Sequence, residues 1–595
     1  MTEAPALPAM TLGDMQHWVS VVGRMQQMLM EFSLRQMGKV PELLTKGPEA
    51  GGTMNMHLPD LSQANILAKW FEAADPAKLI EMQKGFWTEA TSLWSAFLTP
   101  GQQPPEQAPV KDRRFADKSW ESNPVFDVIR RSYLLLCEHL LGGVQHLDGL
   151  PEKDRQRLRF ATETVLDAIS PSNFPLTNPR VIERTLETRG DNLLHGLEHM
   201  LHDLDRGQLT HSPETAFEVG RNIAATPGKV VHENAFYQLI QYTPTTPKVH
   251  AEPILFVPAW IMKYYVLDLE PRNSMVKFLV DAGYTVFMIS WKNPHAEDRE
   301  LGLDDYHRLG VRAALDTIAK ARPDRAVHAV GYCLGGTLLA MVASLLGRER
   351  SHVLKSITLL AAQVDFTDPG ELSLFIDESQ VAFFDNQMAV QGVLDKGQMR
   401  GTFQMLRSRD LVWSYRLATY LMGERAPISA LMAWNADGTH LPYRMHSEYL
   451  HALYLDNALA HGEYRLGGVP ISLSDIHTPI FSVGAVQDHV APWRSVFKLH
   501  QFTTADQTFV LTAGGHNVGI VNPPGSPKSS HRIRHWKHLD RLLTPDEWLA
   551  ETHAVPGSWW TPWLGWLRRH SSSLEALPRQ LPSLGKAPGT YVLQK

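Results

Sequence analysis

AVHAVGYCLGGTLLAMVASLL, residues 326–346, decides the fold. A run of small and β-branched apolar residues leads into Gly331-Tyr332-Cys333-Leu334-Gly335-Gly336, and the residues after it carry apolar side chains at helical spacing. Strand, sharp turn and helix form the layout of a nucleophile elbow, G-x-nucleophile-x-G, with a thiol where such enzymes usually carry a hydroxyl. The glycines are required because so tight a turn leaves the residues facing each other across it no room for a Cβ. Cys333 falls at the helix start, where the partial positive charge of the first N–H groups favours thiolate over thiol. A free thiol of pKa ~8.5 is only a few per cent ionised near neutrality, so a base partner is required.

Downstream, FSVGAVQDHVAPW (481–493) puts Asp488 just past one predicted strand, and FVLTAGGHNVG (509–519) puts His516 just past the next. A carboxylate and then a histidine, each at the end of a later strand, is the chain order that an elbow nucleophile calls for, which makes Cys333, Asp488 and His516 the candidate catalytic trio. His489 is a decoy or an accessory helper, because side chains one apart on an extended segment point to opposite faces. The backbone N–H of Leu334 is the expected oxyanion donor, with a second from the loop after Val257, near Ala259 or Trp260. The interval between Cys333 and Asp488 exceeds what one or two strand–helix units of ~30 residues need. The surplus, 367–461, is rich in aromatic apolar stretches and reads as a cap that excludes water from a covalent thioester.

Short apolar runs at 253–258, 284–290, 326–331, 356–362, 478–484 and 507–512 alternate with amphipathic stretches such as SMVKFLVDAG and VRAALDTIAKA. That is the signature of a parallel sheet covered on both faces. The fold class is therefore α/β: an α/β-hydrolase fold with an inserted cap and a mainly helical N-terminal domain. The expected organisation is a helical segment over 1–98, a flexible linker over 99–114 (TPGQQPPEQAPVKDRR), a helical domain over 115–228, core over 229–366, cap over 367–461, core over 462–570, and a polar tail over 571–595. In the first segment, Trp18, Val21, Val22, Met25, Met28, Leu29 and Phe32 form one apolar stripe, and Leu79, Met82, Phe86, Leu93, Trp94 and Phe97 another. Burial against their own domain is preferred over an interfacial face.

Over 595 residues, 57 basic against 63 acidic side chains leave a formal charge of −6, with 44% apolar and 20% charged residues. No basic footprint is present, which argues against nucleic acid as a partner. Cys137 and Cys333 cannot build a disulfide framework and suit a reducing compartment, and Cys137 reads as a core residue. Met1–Met10 lacks the pattern of a secretory signal, and no apolar run approaches the ~20 residues of a membrane span. His195, Glu198 and His199 spell H-x-x-E-H, with His202 one turn on. The short pattern arises easily among 27 histidines and no further ligand cluster accompanies it, so neither a metal nor a cofactor is expected. HRIRHWKH (531–538) reads as a solvated face before an anion site, and Trp559, Trp560, Trp563 and Trp566 as core before a lipid anchor.

GYCLGG, ISWKNP (289–294), LDDY (303–306), DRRF (112–115), NP (123–124), AWNADGTHLP (433–442), VQDHVAPW (486–493) and GGHNVGIVNPP (514–524) together resemble a class I polyhydroxyalkanoate synthase. The resemblance runs from about Asp112 to Tyr591. It implies Cys333 as nucleophile, His516 as its base and Asp488 as the carboxylate partner. It also implies transfer of short-chain (R)-3-hydroxyacyl groups from coenzyme A to a nascent polyester, a homodimer, granule-associated proteins as partners, and a cytoplasmic location at the granule surface. A cysteine thioesterase or dienelactone-type hydrolase on the same fold is the alternative, because the trio alone does not distinguish water from an alcohol as acceptor. A non-catalytic granule scaffold is a second. With Cys137 a poor second carrier, elongation through a single thiol per subunit is favoured.

Overall fold

The computed structural model describes residues 11–46, 76–99, 112–147, 149–206, 209, 216–406, 412–425, 427–537 and 540–595. The linker expected over 99–114 lies outside the described residues except at its two ends. The chain divides into two compact units, one made of 1–213 with 401–427 and the other of 214–400 with 428–595.

The first unit is helical: α1 (Leu12–Lys46), α2 (Pro76–Leu98), α3 (Pro124–Gln145), α4 (Glu152–Ile169), α5 (Pro179–Glu187) and α6 (Asp191–Arg206). Two of these helices start on the same device. Asn123 and Asn178 accept from the N–H two residues on, and Pro124 and Pro179 follow in the first turn, where a missing N–H costs nothing. The NP pair of the sequence motif is thus a helix start. Arg114 of the DRRF motif is a keystone, since its guanidinium pairs with Asp112 and with Asp167 at 2.9 Å and donates to the Tyr133 hydroxyl. The two apolar stripes are only partly covered. Val21 and Leu93 are buried, whereas Val22, Leu29, Trp94 and Phe97 are exposed, and the side chain of Leu79 lies outside the described residues. Cys137 packs against the Phe115, Trp120 and Tyr133 cluster, and burial pushes its thiol up.

The boundary expected at 228/229 falls at a strand start, and the division lies nearer 213/214. The insertion expected as one cap, 367–461, is not one body, because 401–427 belongs with the N-terminal helices. The reason is chemical. Asp203 of α6 is buried and accepts from the Tyr415 and Tyr420 hydroxyls at 2.7 and 2.8 Å, and Asn192 donates to the Leu421 carbonyl. Gly196 lies so close to the Tyr420 carbonyl that a Cβ there would overlap it. His199 of the H-x-x-E-H pattern meets the Thr419 carbonyl at 3.3 Å, and among the described residues no group of three or more His, Cys, Asp and Glu could hold a metal ion. No helix among the described residues is long and apolar enough to cross a membrane.

In the second unit the strands of the main sheet are β1 (Gly228–Glu233), β2 (Tyr237–Tyr242), β3 (Ile254–Val257), β4 (Val286–Trp291), β5 (Val327–Tyr332), β6 (Leu354–Leu360), β7 (Ile480–Ala485), β8 (Gln507–Thr512), β9 (Ser530–Trp536), β10 (Val555–Pro556) and β11 (Gly585–Lys586), in the order β10-β9-β8-β7-β6-β5-β3-β4-β2-β1-β11. The strands β4, β3, β5, β6, β7 and β8 run parallel, and they are the six apolar runs of the sequence. Antiparallel strands extend both edges. Within the parallel block β3, β4, β5, β7 and β8 are buried along their whole lengths, which is why they show no alternation. One face carries α7 (Leu334–Arg348), buried from Leu334 to Leu346. The other carries α8 (Trp560–His570), whose Trp560, Trp563 and Trp566 are buried with Trp559, a core as expected. The basic stretch lies in β9 as far as Trp536, where His535 meets Thr508 and Arg534 pairs with Glu551, and His538 lies outside the described residues. The polar tail is tied down through its backbone: β11 pairs with β1, and the buried Lys263 ammonium donates to the Val592 and Gln594 carbonyls.

Candidate active site

Parallel strands end at one edge of the sheet, and the loops leaving β5, β7 and β8 carry the candidate side chains. Cys333 follows the last residue of β5 and caps α7 with φ +52° and ψ −125°, a backbone conformation that non-glycine residues rarely adopt. Its neighbours hold it there. The Cys333 N–H donates to the Leu360 carbonyl at 2.9 Å, and its carbonyl accepts from Gly336 and Thr337. A Cβ on Gly331 would overlap Gly336, and one on Gly335 would overlap the Val257 and Pro258 carbonyls. The motif glycines are therefore close-approach residues, and the approach presses the loop after β3, with Ala259 and Trp260, against the start of α7. Leu334 is buried at that start, where the first N–H groups of a helix have no carbonyl four residues back.

Asp488 follows β7 and is buried. Its Oδ1 accepts from the Val490 and Ala491 N–H groups at 2.9 and 2.8 Å, which leaves Oδ2 to take a hydrogen bond from His516 Nδ1 at 2.7 Å. The Cys333 thiol lies within interaction range of the same imidazole. Burial works against the imidazolium, but the Asp488 carboxylate and the Cys333 sulfur more than offset it and hold His516 well above the ordinary histidine range. The structure thus brings Cys333, His516 and Asp488 together at one edge of the sheet, with the imidazole bonded to the carboxylate and close enough to the sulfur to feel its charge. His489, next to Asp488, contributes its carbonyl, which accepts from the Glu371 N–H at 3.0 Å.

Residues 111–279 match the family described as Poly-beta-hydroxybutyrate polymerase (PhaC) N-terminus, and residues 252–523 match the alpha/beta hydrolase fold. The Poly(3-hydroxyalkanoate) polymerase of Methylorubrum extorquens is 39% identical over 535 residues, covering 88% of each chain. The chain belongs to the poly(3-hydroxyalkanoate) polymerase family. It is accordingly an acyltransferase, and polymerisation of hydroxyalkanoate units is its reaction. Two further family members, the Poly(3-hydroxyalkanoate) polymerase subunits PhaC of Rhizobium etli and Cupriavidus necator, are 38% and 36% identical and cover 88% and 87% of this chain, which in turn spans 84% and 89% of theirs.

Two groups of residues around the polymerase-family trio escaped the sequence reading. Tyr449, whose hydroxyl lies 3.3 Å from that of Tyr454, belongs to the large core cluster against which Tyr454 and Cys333 also pack, and the Phe366 ring meets Tyr454 at 5.0 Å. Tyr332 and Asn517 flank the nucleophile and the histidine in sequence and meet at 2.6 Å. Tyr332 and Asn517 lie inside motifs named above, but their contact has no spacing signal because it joins two loops 185 residues apart; Tyr449 and Tyr454 lie outside those motifs, five apart at a π-helical turn (Leu450–Leu455) that α-helical spacing does not announce.

Proposed function

We propose that the protein transfers short-chain (R)-3-hydroxyacyl groups, such as 3-hydroxybutyryl, from coenzyme A to a growing polyester through a covalent acyl–Cys333 intermediate. The observation that carries this reading is the imidazole of His516 set between the Asp488 carboxylate and the Cys333 thiol. His516 takes the thiol proton and the sulfur attacks the substrate thioester carbonyl. The tetrahedral oxyanion is met by the Leu334 N–H, with a second donor from Ala259 or Trp260. Collapse expels the CoA thiolate, which leaves with the proton held by His516, and the acyl group remains as a thioester on Cys333. Transfer from one thioester to another leaves the free energy nearly level, an advantage of sulfur over a hydroxyl at this position.

In the second half the 3-hydroxyl of one unit attacks the carbonyl of another, loses its proton to His516 with Asp488 steadying the ring, and forms the ester bond as a thiol is released. One thiol per subunit suffices on this reading, since burial disfavours the Cys137 thiolate. A homodimer at the surface of the polyester granule is the working state proposed with it.

The test is purified protein supplied with (R)-3-hydroxybutyryl-CoA, one portion left to run to completion for its product and another quenched within one turnover for its adduct. Insoluble polyester, released CoA and a single acyl adduct on the Cys333 peptide are expected. Free 3-hydroxybutyrate in step with CoA would mark a hydrolase instead, and adducts on both cysteines would overturn the single-thiol route.

A further inference from the structure

Two residues that take no part in the transfer chemistry sit one step from those that do. Tyr332 precedes Cys333, Asn517 follows His516, and the Tyr332 hydroxyl donates to Asn517 Oδ1 at 2.6 Å across 185 residues of chain. Both ends of this bond are rooted. Tyr332 is the last residue of β5, paired with Leu360 of β6, and its side chain is buried at 3% exposure with its ring 5.6 Å from the His516 ring. The Asn517 carbonyl accepts from the Ile520 and Val521 N–H groups at 3.1 and 2.8 Å, which fixes the turn that carries His516. The Asp488 carboxylate grips one nitrogen of the imidazole and sets its tilt. It does not set how far the histidine loop stands from the sulfur, because Asp488 lies on a different loop from Cys333. The Tyr332–Asn517 bond, from the residue before the nucleophile to the residue after the base, ties the histidine loop directly to the turn that carries Cys333.

We propose that Tyr332 and Asn517 are positioning residues that hold the His516 imidazole at proton-transfer distance from the Cys333 thiol. The inference rests on the reading of Cys333 and His516 as nucleophile and base. A phenylalanine at 332 fills the same volume and cannot donate, so the hydroxyl alone is at issue. Misplacement of a reacting group by about 1 Å costs on the order of 10²-fold in rate, and loss of one buried strut allows a displacement of up to that size.

Full-length Tyr332→Phe, Asn517→Ala and the double variant are compared with the parent by three measurements. These are single-turnover CoA release from butyryl-CoA, which lacks the 3-hydroxyl and cannot extend; alkylation of the Cys333 peptide by iodoacetamide as a function of pH; and the melting temperature. Each single variant is expected to slow acylation about tenfold or more and to displace the pH profile of alkylation, which reports the imidazole beside the sulfur. The double variant is expected to be no slower than the slower single one, because both remove the same bond. A Tyr332→Phe protein with the parental acylation rate and alkylation profile overturns the strut, as do losses that multiply in the double variant. If Tyr332→Phe does not fold, Asn517→Ala, at a half-buried position, decides by the same two kinetic readouts. A Cys333→Ala protein that still releases CoA would instead overturn the functional reading. A dead Cys333→Ala beside a fully active Tyr332→Phe would overturn the strut alone.

Discussion

His516 gains more from its two charged neighbours than burial takes away, and that balance makes its behaviour with pH predictable. Its folded value lies above the ordinary 6.5, so its contribution to stability is complete below about pH 6.5 and is lost as the pH climbs through the folded value. The gap in melting temperature between the parent and His516→Gln should therefore be widest in acid and close on the alkaline side; a gap that widens with pH would contradict the assignment. For activity, Asp488→Asn is expected to lower kcat for CoA release by roughly 10²–10⁴, because the amide cannot steady the imidazolium that forms in each proton transfer. Cys333→Ala should leave no acyl adduct at all while the protein still folds. At this scale most of the site was legible in the sequence, since an elbow cysteine, a carboxylate and a histidine each stand beside a strand end. The Tyr332–Asn517 contact was not, because a hydrogen bond between side chains of distant turns leaves no repeat in the chain, and neither was Tyr449–Tyr454, whose five-residue spacing falls at a π-helical turn and not on an α-helical stripe.

The elbow between β5 and α7 works by removing side chains. A Cβ at Gly335 would meet the carbonyls of Val257 and Pro258, which are backbone and cannot swing aside. Gly335→Ala should thus cost about 3 kcal/mol or more, at the upper end of overpacking changes, and show as a lowered urea midpoint or loss of soluble protein. On the opposite face of the sheet, Trp563 is fully buried and its indole N–H donates to the Thr358 hydroxyl at 3.0 Å. Trp563→Ala should cost about 3–5 kcal/mol in chemical denaturation, whereas a lipid-anchoring role would leave stability nearly unchanged. The parallel strands could be read from sequence because both their faces are dry and their apolar runs are continuous. The edge strands could not. Charged residues of β9 pair sideways with neighbours, and Gly585–Lys586 holds its place by backbone bonds that carry no side-chain pattern.

Across the whole molecule, two buried histidines set a limit in acid. Burial pushes His328, in β5 itself, down to about 3 and His446, in the inserted segment, down to about 4. Both are neutral in the folded protein, so the unfolded chain takes up the protons first as pH falls below about 6.5, and each histidine removes about 1.4 kcal/mol of stability per pH unit until its folded value is reached. The urea midpoint should fall steeply between pH 6 and 4, and a His446→Phe variant should show a shallower fall; an identical slope would remove His446 from the account. The division into two units was legible only as a change of texture from helical to alternating sequence. Its most telling part, the return of 401–427 to the N-terminal helices, depends on Asp203 finding two tyrosines more than two hundred residues away, and no local pattern announces that. Synthesis on the ribosome meets the same separation in time. Tyr415 follows Asp203 by 212 residues, so at ~5–20 residues per second the carboxylate waits roughly ten to forty seconds for its donors. Helices made before the sheet are therefore completed only after much of it has been synthesised, and whatever shields the Asp203 carboxylate in the interval bears on how much of the enzyme is born intact.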